Sequence, residues 1–147
     1  MKKVLPYLFS IVLGTVFGFI LFQDTNFNIK EVFSSNINAT AFQLGVFNNE
    51  EGAKEMKNRY ENSIIMKDDD VYRVYYSILT SPDVITKMEK YLSKLGINYY
   101  LKQITVTDSE LIKAISEYES TMAAGSDNVL TSINNLIMSS YGGENGY

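Results

Sequence analysis

The side chains able to do chemistry in this chain are few, and what is missing decides much. There is no histidine and no cysteine. That removes Ser-His and Cys-His nucleophilic catalysis, zinc-thiolate sites and disulfides. Carboxylates remain. Asp68-Asp69-Asp70 could offer oxygens to a hard cation, but a calcium loop needs more ligands than three adjacent carboxylates supply, so the triplet reads as a solvated turn. Glu51 and Glu55 could serve as hydrolytic acids only across a cleft from a second carboxyl group, and no such pair can be placed. The pattern therefore implies no catalytic residue, no metal and no cofactor. A different set remains: Gln43, Arg73, Tyr75 and Tyr100, an amide, a guanidinium and two phenols. Amide and guanidinium donors reach sugar hydroxyls, and phenol rings stack on the C–H face of a pyranose. Tyrosines are also simply good strand formers.

Those four residues share a surface only if particular elements carry them. Phe42, Leu44 and Val46 alternate with Ala41, Gln43 and Gly45, as in a strand buried on one face. Asn49 then stands as an N-cap before Glu50 and Glu51, and Ala53, Met56 and Tyr60 recur at helical spacing. The pattern returns 32 residues later. Val74, Tyr76 and Ile78 fall on Phe42, Leu44 and Val46; Ser81 falls on Asn49; Ile85, Met88 and Leu92 fall on Ala53, Met56 and Tyr60. Pro82 takes the first helical position and Gly96 ends the helix.

Each strand-helix unit is followed by another apolar run, Ser63 to Met66 and Ile97 to Gln103. The order β-α-β-β-α-β predicts an α+β domain: a ferredoxin-like, four-stranded antiparallel sheet with both helices on one face and the repeated strands at its centre. The helices cover Phe42, Leu44, Val46, Val74, Tyr76 and Ile78. Parity then places Gln43, Arg73, Tyr75, Tyr100 and Lys102 on the opposite, open face. Ile97, Tyr99 and Leu101 point to the core.

Phe42-Gln43-Leu44-Gly45-Val46-Phe47, followed by a capped helix with an early alanine, and Tyr72-Arg73-Val74 opening the second unit, resemble the SPOR, or sporulation-related repeat, family. Ser77 stands where that family carries a glycine. The resemblance covers residues 40 to 103. It implies a non-enzymatic module that binds peptidoglycan glycan strands in bacterial cell division or sporulation, with Gln43, Arg73, Tyr75 and Tyr100 as glycan-binding residues.

The flanks complete the expected organisation. Val4 to Phe22 is uncharged over 19 residues, preceded by Lys2 and Lys3 and followed by Asp24. At helical rise this spans about 28 Å, close to one hydrocarbon core. Residues 1–23 therefore read as a transmembrane anchor with the N-terminus cytoplasmic and the body outside the cell. Gly14 and Gly18 form a G-x-x-x-G through which two such helices could associate. Residues 24–39 read as a linker and 40–104 as the domain. A C-terminal helical pair follows over 105–139, with Leu111, Ile115, Tyr118 and Met122 on one helix and Val129, Ile133, Leu136 and Ile137 on the next. This pair either folds back on the domain or offers its stripe to another protein. Residues 140–147 lack periodicity and read as a disordered tail. The chain carries a net charge of −4, which disfavours nucleic acid as a partner. The second reading is a membrane-anchored protein-interaction or regulatory module of the same fold, without glycan binding.

Overall fold

A computed structural model of the chain describes residues 36–141. The elements run β1 (Ile37–Phe47), α1 (Glu50–Arg59), β2 (Ile64–Asp68), β3 (Val71–Leu79), α2 (Pro82–Lys94), β4 (Tyr100–Val106), α3 (Ser109–Ala124) and α4 (Asp127–Ser139). The four strands form one antiparallel sheet in the order β2-β3-β1-β4. This is the ferredoxin-like arrangement, with the two repeated strands at the centre. Tyr76 on β3 meets Tyr60, just past α1, edge-on at 6.5 Å, and it lies beside Tyr91 of α2. Both helices therefore address the same face.

The membrane-spanning helix expected over residues 4–22 falls outside the described residues, as do Gly14 and Gly18. Among the described residues no helix is long and apolar enough to cross a membrane. The longest of them, α3, has 16 residues and carries charges on its outer side. The single-pass anchor, the membrane as a partner and the extracytoplasmic placement of the body are accordingly withdrawn.

Strict alternation along β1 is also corrected. Thr40, Ala41 and Phe42 pair with Leu79, Ile78 and Ser77; then Gln43 pairs with Tyr75, and Gly45 with Val74. Tyr76 and Leu44 are each skipped, two compensating irregularities that exchange the faces of both strands. Phe42 is fully buried and packs on Tyr99 with ring centroids 5.1 Å apart. Val46, past the irregularity, is 44% exposed. Phe47 turns inward instead: its ring occupies the space a Cβ on Gly45 or Gly52 would need, which brings α1 close to β1. On β4, Leu101 pairs with Phe42 on the core side as expected, but at the sheet's edge it is left 37% exposed.

The two repeats are capped differently. Asn49 Oδ1 accepts from Gly52 N at 2.8 Å, as its position requires. Ser81 makes no side-chain cap bond. Glu119 of α3, only 6% exposed, instead anchors the entry to the helix: its carboxylate accepts from Thr80 N and Ser81 N at 2.7 Å each and from the Thr80 hydroxyl. In return Lys87 of α2 donates to the carbonyls of Met122 (2.8 Å), Ala123 (3.1 Å) and Gly125, where α3 ends without a basic residue of its own. Each helix thus receives the charge its terminal dipole favours from the other.

Of the two arrangements open to the C-terminal pair, packing onto the domain is found. Leu111, Ile112, Ala114, Ile115, Met122, Leu130, Ile137 and Met138 join Val84, Met88 and Leu92 of α2 and the sheet in one core. On α4 the buried stripe is rotated from the expected one: Leu130, Asn134, Ile137 and Met138 are buried, while Leu136 is exposed. Asn134 Nδ2 donates to the carbonyl of Tyr76 at 2.9 Å. Tyr76 is the residue that β1 skips, and β2 pairs with β3 only as far as Tyr75, so α4 supplies the partner both ladders withhold. Tyr141 packs against this core, and residues 142–147 lie outside the described residues.

Candidate ligand-binding face of the sheet

One rung crosses the whole sheet. Tyr100 of β4 pairs with Gln43 of β1, Gln43 with Tyr75 of β3, and Tyr75 with Ile64 of β2. Three of the four residues singled out in the sequence are direct neighbours on it. The fourth, Arg73, lies two residues from Tyr75 and donates from Nη1 to Gln43 Oε1 at 3.2 Å. The irregularity that breaks the alternation is what places Gln43 opposite Tyr75.

The rung is not uniformly open. Tyr100 is 67% exposed, Gln43 is half-buried and Tyr75 is only 3% exposed. Burial pushes the Tyr75 phenol above its ordinary pKa, the Arg73 guanidinium pulling it back and the Asp68 carboxylate adding to the rise. Its ring is a floor for the face and not a stacking platform.

Two further residues complete the surface. Arg73 Nε donates to Asp68 Oδ2 at 2.7 Å, and Lys102 Nζ donates to the same oxygen at 3.4 Å. These bonds from Arg73 and then Lys102 hold the Asp68 carboxyl below the usual carboxylate range. Asp68 lies on β2 and Lys102 on β4, the two outer strands. Three strand spacings of about 4.8 Å would separate them by about 14 Å in a flat sheet. The sheet is therefore curled, concave on this side, with the end of the β2–β3 hairpin drawn toward β4. Paired irregularities in the central strands supply the bend.

Sequence reading placed Gln43, Arg73, Tyr100 and Lys102 on one face, and the strand pairing and contacts do bring them together there. It missed Asp68 as a member, treating it as one of three solvated turn residues. The Asp68–Arg73 contact spans five residues of a tight hairpin and was within reach of a register argument. The Lys102 contact spans 34 residues and depends on curvature, which leaves no periodic trace. Asp69 adopts a positive φ of 53° in the turn. Among the described residues, no group of three or more acidic side chains is arranged to hold a metal ion.

Comparison with known proteins finds no matching family model, no matching curated protein and no matching solved structure. The SPOR resemblance thus rests on the quoted residues alone. The membrane-anchored, peptidoglycan-binding role it implied is withdrawn, because no relative supports glycan binding and no described helix supports an anchor.

Proposed function

We propose that this chain is a non-catalytic binding module that recognises a polypeptide along β4 and the concave face beside it. The observation that carries this reading is the position of β4. It is an outer strand, and among the described residues no backbone group pairs along its free side. An unpaired strand edge accepts an extended segment as an added strand, with main-chain hydrogen bonds giving affinity and adjoining pockets giving specificity. The β4 edge is built to be approached. It carries no proline and a single charge, Lys102, and at one end exposes Tyr100 and Leu101. The opposite edge, β2, is shorter and runs into Asp68-Asp69-Asp70. Tyr100 links the edge to Gln43 and Arg73, so one ligand strand can meet both.

Selection of extended peptides from a display library against the full chain, followed by hydrogen exchange on the complex, tests this. Slowed exchange over residues 100–106, abolished by Tyr100→Ala with Leu101→Lys, is the expected result. Protection confined to α4, or the absence of any selectable peptide, overturns it.

A further inference from the structure

The ion network on the concave face has an unusual stoichiometry. Two cations from different strands, Arg73 and Lys102, converge on one oxygen, Asp68 Oδ2. The Arg73 contact is single: it uses Nε, while Nη1 is committed to Gln43. Among the described residues nothing accepts from Arg73 Nη2, and nothing donates to Asp68 Oδ1. A guanidinium satisfies a carboxylate best through two parallel bonds, and this one makes one. Lys102 is held at 3.4 Å, a long charge-assisted bond.

The holder of that oxygen is poorly fixed. Asp68 ends β2, its side chain is half exposed, and the turn after it is two further aspartates. Arg73 and Lys102, by contrast, are mostly covered and rooted in β3 and β4. Exposed ion pairs contribute little to stability, so exchanging this carboxylate for another costs little. With Asp68 displaced, Arg73 and Lys102 would stand on the face as a cationic pair without their carboxylate.

We infer that Arg73 and Lys102 form a carboxylate-binding site for an acidic residue of the polypeptide ligand, and that Asp68 occupies it as an internal competitor. This rests on the reading of the face as a polypeptide-binding surface and adds what that surface selects. Gln43 orients the guanidinium, Tyr75 beneath it keeps water from one side, and Tyr100 flanks the entry. The site discriminates for acidic strands because a neutral one cannot displace Asp68.

The test uses the full chain and two blocked peptides, tetraglutamate and tetraglutamine, with affinity measured by isothermal titration and folding checked by circular dichroism. Asp68→Asn is expected to bind tetraglutamate at least tenfold more tightly than wild type and to leave tetraglutamine unchanged. Adding Lys102→Met to Asp68→Asn removes the gain. Asp68→Ser serves if the asparagine variant fails to fold. Equal tetraglutamate affinity in wild type and Asp68→Asn, or an equal gain for tetraglutamine, overturns the inference. Peptides selected by display separate its failure from that of the parent reading. If Tyr100→Ala abolishes their binding and Asp68→Asn does not alter it, the face stands and the carboxylate site falls. If neither change matters, both fall.

Discussion

Glu119 and Ser81 lie 38 residues apart, yet the carboxylate of one accepts the backbone N–H of the other at 2.7 Å and so caps a helix to which it does not belong. The same carboxylate takes Thr80 N. The N–H of the N-cap residue and that of the residue before it therefore depend on one side chain of α3. Hydrogen bonds to charged groups contribute about 1.5–3 kcal/mol each, so Glu119→Ala is expected to destabilise the domain by at least about 2 kcal/mol. Glu119→Gln, which keeps one acceptor, should cost less. Urea unfolding of the three proteins checks the order; equal midpoints would refute the capping role.

Leu92 is fully buried on the inner side of α2, with Met88 and Val84 one and two turns before it. Leu92→Ala should cost about 2–5 kcal/mol, the range for emptying a buried leucine site. Thermal unfolding followed by circular dichroism reads the loss. Ile85 is only half-buried, so Ile85→Ala should cost visibly less.

Asn134 is buried and donates to the Tyr76 carbonyl at 2.9 Å. Asn134→Ala leaves that carbonyl without its partner and is expected to cost about 1–3 kcal/mol. The amide exchange rates of β3 near Tyr76 should rise with it. Unchanged exchange would mean that another group takes over the bond.

Tyr76 supplies a pH dependence whose sign is fixed. Burial first, and then the neighbouring Tyr91, push its phenol up to about 12. The unfolded value is about 10. Because the folded pKa is the higher, the contribution is whole below about 10 and is lost as the pH climbs through about 12. Tyr76→Phe should remove that alkaline loss, measured by unfolding at a series of high pH values. A wild-type tyrosine titration midpoint at the ordinary value would refute it.

Asp68 has the opposite sign. Its carboxyl is held low by Arg73 and then Lys102, so the network's contribution is present above about 3.9 and fades as the pH falls through the folded value. A nuclear magnetic resonance titration of its side-chain carbon should show a midpoint below the ordinary aspartate value of about 3.9. Lys102→Met should move it back up.

Much of the architecture was legible because the repeat states it twice. The apolar strand run from Val74 to Ile78, helical spacing in Val84, Met88 and Leu92, and the turn at Asp68 to Asp70 were enough to order the strands. The paired skips at Leu44 and Tyr76 were not legible, since a bulge alters pairing without altering composition, and with them went the placement of Val46 and Phe47. Tyr75 was correctly put beside Gln43 but expected to be open, because nothing in a strand pattern reports how far a sheet curls. Glu119 was invisible for a related reason: on a helical wheel it is one more acidic residue, and only the neighbouring helix gives it a task.

The borrowed cap also has a consequence in time. During synthesis Ser81 joins the chain before Glu119, and at about 5–20 residues per second the separation of 38 residues takes roughly 2–8 s. When Val106 has just been added the two-repeat sheet is complete in sequence, but Thr80 N and Ser81 N still lack their acceptor, and Val84, Met88 and Leu92 lack Leu111, Ile115 and Met122. The last third of the chain is thus the step that commits the first two-thirds to a finished fold.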